Sequence, residues 1–267
     1  MAKYFLGIDL GTSSVRAGIY GEDGSRLAIS ARTYPIETPV PGASLQDPEL
    51  WWSRTCEAIT EALSLSELKG KEISGISFCG QMHGAVLLDN SNNPVCPAII
   101  WADSRSEKEC AEITAILGKT VLRDTLMNRI FPGTQAAIIH WLRKHDIQTW
   151  RRVRRILLPK DYLRFRMCGL FNSDPSDASA TLLFDQNQRD WSTDVLKKLG
   201  IPIEFLPYIV ASDQVIAETE GIEEVTGIPD GVPLVLGGSD QAAAALGNAV
   251  LDEGVMFVAV GTGGQIV

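Results

Sequence analysis

No apolar stretch in this 267-residue chain approaches the ~18 residues that a membrane span needs, so no spanning helix is expected. A signal peptide is not expected either. Met1-Ala2-Lys3 leads straight into the apolar run from Tyr4 to Ile8, and Gly7, Asp9 and Gly11 soon interrupt it, leaving neither a long enough h-region nor a cleavage site. Cysteine is scarce and unpatterned: Cys56, Cys79, Cys96, Cys110 and Cys168 are odd in number and lack C-x-x-C spacing. That argues against a disulfide framework or a zinc site and for free thiols in a reducing cytosol. An excess of positive charge is also missing. The 24 Lys+Arg against 33 Asp+Glu give −9, the wrong sign for a broad face that grips phosphate backbones. The basic residues Arg151, Arg152, Arg154 and Arg155, with Arg143 and Lys144 nearby, read as a solvated helix face. The aromatics show no interleaving suited to stacking bases. Neither nucleic acid nor a membrane is an expected partner, and the expected location is cytoplasmic.

What is present describes a globular chain: 45% hydrophobic residues and both charge signs, with a length that at about 150 residues per domain allows one or two domains. Lys3 to Asp9, Val15 to Tyr20 and Arg26 to Tyr34 are partly alternating apolar runs joined by Gly11-Thr12-Ser13-Ser14 and Gly21-Glu22-Asp23-Gly24, which predicts a three-stranded antiparallel meander. Asp47-Pro48-Glu49 supplies an N-cap, a proline at the first helical position and a first-turn acid, so a helix is predicted from Pro48 to about Leu65. Ile73 to Cys79 and Ala85 to Leu88 read as strands around the loop Gly80-Gln81-Met82-His83-Gly84. Ser104-Arg105-Ser106-Glu107 reads as a capping box that opens a helix to about Leu117. Thr134 to Lys144 and Lys160 to Met167 are further helical stretches, the latter preceded by strand-like Ile156-Leu157-Leu158. Val232 to Leu236 is an apolar strand, Gly237-Gly238-Ser239-Asp240 a turn, and Gln241 to Leu246 an Ala-rich helix. Strands mixed with helices in this order predict an α/β layered fold.

Two segments share one plan. Tyr4 to Ser14 and Met256 to Gly264 both run apolar strand, Gly-Thr, small residues, second strand, as an internal duplication would. Aligned on the Gly-Thr pair, Asp9 falls opposite Ala259. A turn of small residues lets backbone N–H groups converge on an anion, with the Thr hydroxyl as a further donor; Gly11 to Ser14 and Gly261 to Gly264 both qualify, the plain alternative being an ordinary hairpin turn. Asp9 at the strand end suits Mg²⁺ held through water, or else caps a turn. Arg16 is either its charge partner or a solvated strand residue. Asp240 follows a buried strand and opens a helix, where an ionised acid can accept an alcohol proton; an N-cap role, contested by Ser239, is the alternative. Gln81, Met82 and His83 offer an amide, a thioether and an imidazole between two glycines, as polyol recognition would use, although a lone His is often structural. Trp101 and Asp103 add an aromatic face and a carboxylate, the latter also able to charge a helix N-terminus.

Taken together these blocks resemble the FGGY carbohydrate kinases, and within them the xylulokinase group. The resemblance rests on Gly7-Ile8-Asp9-Leu10-Gly11-Thr12-Ser13, Gly80-Gln81-Met82-His83-Gly84-Ala85, Pro97 to Arg105, Leu157 to Leu163, Asp174 to Ser179 and the Gly237 to Asp240 turn, and it runs over nearly the whole chain. It implies an actin-like, ribonuclease H-like ATPase fold with a mixed five-stranded sheet flanked by helices. It implies an N-terminal sugar-binding domain over residues 1–233 and the opening, over residues 234–267, of a nucleotide-binding domain that is otherwise truncated. It further implies ATP and Mg²⁺ as cofactors, Asp240 as proton acceptor, and Asp9 as the acid beside the phosphates, holding Mg²⁺ through water. Gln81, Met82, His83, Trp101 and Asp103 would line the sugar pocket, and Gly11, Thr12, Ser13, Gly261, Thr262 and Gly263 would embrace the phosphates. The expected reaction transfers the γ-phosphate of ATP to the terminal hydroxyl of D-xylulose, giving xylulose 5-phosphate; the expected partners are the sugar and ATP, and a homodimer is admissible.

One departure concerns the substrate. Xylulokinases usually carry a Lys three residues before the Trp of the helix that follows the Pro-Gly turn, and Ile138 stands there before Trp141. If that Lys shapes the sugar pocket, a kinase for ribulose, gluconate or glycerol is the alternative. A second departure is length, since family members are roughly twice as long. The chain would then end inside a hydrophobic element at Gln265-Ile266-Val267, and alone it would be inactive, a non-catalytic sugar-binding lobe being the alternative from another class.

Overall fold

The computed structural model describes residues 2–260 and 264–266. Its frame is a seven-stranded mixed sheet. The strands are β1 (Tyr4–Leu10), β2 (Ser14–Gly21), β3 (Arg26–Thr33), β4 (Ile73–Gly80), β5 (Val215–Glu218), β6 (Pro233–Val235) and β7 (Gly238–Ser239). In space they run β5-β6-β4-β1-β2-β3, with β7 also paired to β4. The predicted meander is there, β1 antiparallel to β2 and β2 to β3. Strands β1, β6 and β7 each pair parallel with β4.

Seven strands correct the expected five. One addition is the edge strand Val215–Glu218, which is bonded only to β6 and lacks a buried face to announce it. The other is Gly238–Ser239, which reads as turn but extends the sheet for two residues, Gly238 opposite Cys79 and Ser239 opposite Gly80. Strand β6 crosses the expected domain boundary at residue 233 and is bonded into this same sheet, Leu234 opposite Ile76.

Side-chain parity sorts the two sheet faces. Leu6, Ile8 and Leu10 of β1, Val15, Ala17 and Ile19 of β2, and Ile76 and Phe78 of β4 are buried on one face. Helix α1 (Pro48–Ser66) packs there with Trp51, Thr55, Ala58, Ile59 and Ala62, a helical-period stripe. It begins as predicted: the Asp47 carboxylate accepts from the Glu49 N–H at 2.9 Å and Pro48 takes the first turn. The opposite parity puts Gly7, Asp9, Arg16, Ser77 and Cys79 on the other face.

The remaining long helices are α2 (Glu107–Thr120), α3 (Gln135–His145) and α4 (Pro159–Cys168), with α5 (Pro175–Ala178) a single turn and α6 (Asp240–Gly247) after β7. A second apolar cluster, including Ile113, Ile138, Leu142, Phe184 and Trp191, closes the half of the molecule built on α2 and α3. The expected capping box does not form. Ser104 turns back to Gly42, its N–H and hydroxyl both donating to that carbonyl, so α2 starts only at Glu107 after Ser106, whose side chain makes no capping bond among the described residues. No helix among the described residues is long and apolar enough to cross a membrane. The two flanking strands of the second small-residue turn, Val258–Val260 and Gly264–Ile266, pair antiparallel, whereas Gly261, Thr262 and Gly263 lie outside the described residues.

Candidate active site

Three of the chemical motifs, far apart in sequence, each follow directly on a strand of one parallel group. Gly11-Thr12-Ser13 follows β1, Gln81-Met82-His83 follows β4 and Asp240 follows β7. Parallel strands end at the same sheet edge, where ligands of α/β proteins bind in the crevice beyond the carboxyl ends. The registers make this quantitative: Cys79 of β4 has Asp9 opposite it on β1 and Gly238 on β7, so Asp9 and Asp240 approach the end of β4 from its two sides.

Ser239, rather than Asp240, caps α6, its hydroxyl accepting from the Ala242 N–H at 3.3 Å. The Asp240 carboxyl is thereby left over, and its Oδ1 is buried with no hydrogen-bond partner among the described residues. Burial raises its pKa above the ordinary carboxylate value, the Gln241 N–H opposes this, and the charge of Asp9 raises it again. Burial raises Asp9 likewise, against the pull of Arg16, whose guanidinium sits 3.4 Å away. Arg16 is thus the charge partner of Asp9, although its side chain is 58% exposed. Between the two acids, burial first and then the charges of Asp9 and Asp240 push the Cys79 thiol up to about 12, so it stays protonated. A cavity of about 350 Å³ opens on Asp9, Arg16, Cys79 and Ala243.

Two half-buried acids, both raised by burial and Asp240 also by the charge of Asp9, one with an orphaned oxygen, form a site that favours incoming positive charge. Mg²⁺ is held by one or two carboxylates together with water and phosphates, so Asp9 fits as its protein ligand. Among the described residues there is no group of three or more His, Cys, Asp or Glu that could hold a metal ion.

The Gly11 turn is braced from several sides. The Tyr34 hydroxyl donates to the Gly11 carbonyl and Gln46 Nε2 to the Thr12 carbonyl at 2.7 Å. Gln81 is buried and its Nε2 donates to Gln46 Oε1 at 3.1 Å, while its own Oε1 has no hydrogen-bond partner among the described residues. Trp101, 45% exposed, donates its indole N–H to Thr12 Oγ1 at 2.9 Å, bringing its ring beside the turn.

His83 has φ +66° and packs edge-on against Phe131. Its Nδ1 lies 2.8 Å from the Ala180 carbonyl, which can only accept, so Nδ1 carries the proton and Nε2 is left as an acceptor. Burial lowers its pKa against the effect of that bond, favouring the neutral ring. Met82 is half-buried beside it. Asp103 is 3% exposed and its oxygens are occupied by Arg105, at 2.8 Å, and by the Ser44 N–H, at 3.0 Å; it orients Arg105, which stacks 4.2 Å over Trp141. Ile138 is 1% exposed inside the second apolar cluster, an environment that suits its apolar side chain.

Sequence reasoning assigned no role to a wholly buried ionic group next to the turn from Gly237 to Asp240: Lys160, Asp161, Arg164, Asp174 and Asp177. The signal is legible in retrospect, as Lys160 and Asp161 follow the buried run Ile156-Leu157-Leu158 with only Pro159 between, where a solvated charge has no room.

The family model described as the N-terminal domain of the FGGY family of carbohydrate kinases matches residues 4–247. The chain is 39% identical over 266 residues to the xylulose kinase of Lactococcus lactis subsp. lactis (strain IL1403), covering 98% of this chain and 52% of that protein. It is 36% identical over 265 residues to the xylulose kinase of Bacillus subtilis (strain 168), covering 99% and 53%. The crystal structure of a xyloylose kinase from Brucella ovis matches with a TM-score of 0.90 at 34% identity, over 98% of this chain and 53% of that one. The chain spans about half the length of the curated relatives it matches, and the actin-like α/β fold expected from its motifs is the fold it shares with the solved kinase.

Proposed function

The chain belongs to the FGGY family of carbohydrate kinases, and from that premise we propose that it provides the sugar-binding lobe, residues 1–233, and the opening of the nucleotide-binding lobe, residues 234–267, of an ATP-dependent kinase for D-xylulose. The terminal hydroxyl of the sugar attacks the γ-phosphorus of ATP, its proton passes to Asp240, and ADP leaves as xylulose 5-phosphate forms. The observation that carries this reading is the approach of Asp9 and Asp240 from the two sides of Cys79 at one sheet edge.

Each residue has a task its surroundings favour. Asp240 has no capping duty and a buried, unpartnered oxygen, so an incoming hydroxyl is a natural hydrogen-bond donor to it. His83 offers Nε2 to a second sugar hydroxyl, Met82 and the Trp101 ring offer apolar contact, and Asp103 acts through Arg105. Gly11 to Ser13 line the phosphates, and the matching sequence pattern assigns Gly261 to Gly263 to them as well. Asp9 holds Mg²⁺, which when bound neutralises charge on the phosphates. Phosphoryl transfer needs mostly positioning and charge stabilisation, which this constellation is suited to give.

Xylulose is favoured over other acceptors by the names of the relatives at 36% and 39% identity, the Ile138 departure keeping another ketose or polyol as the alternative. Calorimetry with D-xylulose, D-ribulose, gluconate and glycerol tests the choice. D-xylulose is expected to bind best, and His83→Ala to weaken it about tenfold, ~1.4 kcal/mol. Preferred binding of another polyol overturns the xylulose assignment, and binding of none overturns the sugar lobe.

A further inference from the structure

We propose that Lys160 is a positioning residue for the Asp240 carboxylate, acting through Asp174 and the Ser176 hydroxyl on the backbone amide of Ser239. This rests on the reading of Asp240 as the base. The Lys160 side chain is wholly buried, with Nζ 2.7 Å from Asp161 Oδ1, 2.7 Å from Asp174 Oδ2 and 3.2 Å from Asp177 Oδ2. Asp174 caps α5, accepting from the N–H groups of Ser176, at 2.8 Å, and Asp177, at 3.2 Å, while its Oδ1 also takes the Ser176 hydroxyl proton. The Ser176 oxygen in turn accepts from the Ser239 N–H at 3.0 Å. One peptide bond beyond that amide stands Asp240.

The same cluster grips the segment a second time. Arg164, paired with Asp161 at 2.7 Å, donates to the Leu236 carbonyl at 3.3 Å. The segment needs holding. It contains Gly237 and Gly238, it meets β4 at only two register positions, and a Cβ on Gly238 would sit 3.0 Å from Ser176 Oγ. Two glycines give the backbone freedom that the helix start has to lose if Asp240 is to point at one place.

Stability alone does not account for such a group. Buried ion pairs are often replaceable by packed apolar residues at no loss, so five ionisable side chains in a core are weak evidence of stabilisation. Burial pushes Asp177 up to about 8, Lys160 opposing and Asp161 and Asp174 reinforcing. Burial acts to lower Lys160, but Asp161, Asp177 and Asp174 together keep it above the ordinary lysine range. A permanently charged hub surrounded by fixed acceptors is a rigid support for the Asp174 carboxylate and, through it, for Ser176.

The test separates the hydroxyl from the fold. Ser176→Ala keeps every charge and removes the hydroxyl that joins the Asp174 carboxylate to the Ser239 N–H, and Ser176→Thr restores a hydroxyl. In the 267-residue chain, carboxyl-carbon NMR is expected to show the Asp240 titration moving down toward the ordinary carboxylate range in Ser176→Ala, as the loosened turn lets water reach it, and returning in Ser176→Thr. In protein that carries this chain with a complete nucleotide lobe, Ser176→Ala is expected to lower kcat ~10- to 100-fold with the sugar KM little changed. Lys160→Met is expected to do the same where it folds. An Asp240 titration and a kcat both unmoved by Ser176→Ala, beside an inactive Asp240→Asn, overturn the positioning role alone. Wild-type turnover by Asp240→Asn overturns the assignment of the base.

Discussion

Because Ser239 takes the cap of α6, the carboxyl of Asp240 is free to answer to its surroundings, and those surroundings make a pH prediction. A base works when ionised, so rate is lost as pH falls through its pKa, and burial together with the charge of Asp9 places that fall above the ordinary carboxylate value. Removing the neighbouring charge with Asp9→Asn is expected to lower the Asp240 titration, measured by carboxyl-carbon NMR; an unmoved titration would separate the two acids. His83 makes an independent prediction. Nitrogen chemical shifts should report the Nδ1–H tautomer and a titration below the usual imidazole range, since burial opposes the charged ring. An Nε2–H ring would remove the acceptor offered to the sugar. At this scale the candidate residues are conspicuous in the sequence, because acids and a histidine stand beside glycine turns. It could not say which of them face outward: Gln81 and Asp103 carry the same functional groups as free ligands, yet their bonds to Gln46 and Arg105 decide their use.

The turn between β6 and β7 is the element on which the site depends. Gly237 has φ +80°, and a Cβ there would lie 1.9 Å from the Phe78 carbonyl oxygen, so side chain and strand β4 cannot both keep their places. Gly24, in the β2–β3 turn, has the same φ with nothing within 4 Å. Gly24→Ala should therefore cost about 1 kcal/mol of backbone strain, and Gly237→Ala about 3 kcal/mol or more, read as the difference in urea unfolding midpoints; equal costs would mean that the close approach to β4 is absent. Local elements were legible within a residue or two wherever turn chemistry, apolar period and cap agreed, as for β1, β2 and α1. What escaped were pairings decided at long range. Gly238–Ser239 becomes a strand only because β4 offers a parallel edge, and the Ser104 capping box yields because the Gly42 carbonyl takes both its N–H and its hydroxyl.

At the scale of the molecule, the sheet brings to one edge residues separated by most of the chain, and this convergence is what no local reading could supply. The motif blocks were visible; that β1, β4 and β7 are parallel neighbours, so that their ends coincide, follows only from the sheet order. The same geometry sets what the 267 residues can do by themselves. Everything assigned to the sugar, and the acid proposed to take its proton, lies within them, whereas the curated relatives extend for about as long again. Phosphoryl transfer requires a nucleotide held against the acceptor in a cleft that excludes water. The chain is therefore expected to bind D-xylulose in calorimetry, to bind ATP·Mg²⁺ far more weakly than a complete kinase, and to release no ADP above background in a coupled assay. Sugar-dependent ADP release at an enzymatic rate would relocate the adenosine site into these residues. Sugar binding without turnover is the outcome that a lobe carrying the base, but little of the nucleotide site, has to give, because Asp240 can accept a proton only as fast as a phosphoryl group is presented to the hydroxyl that loses it.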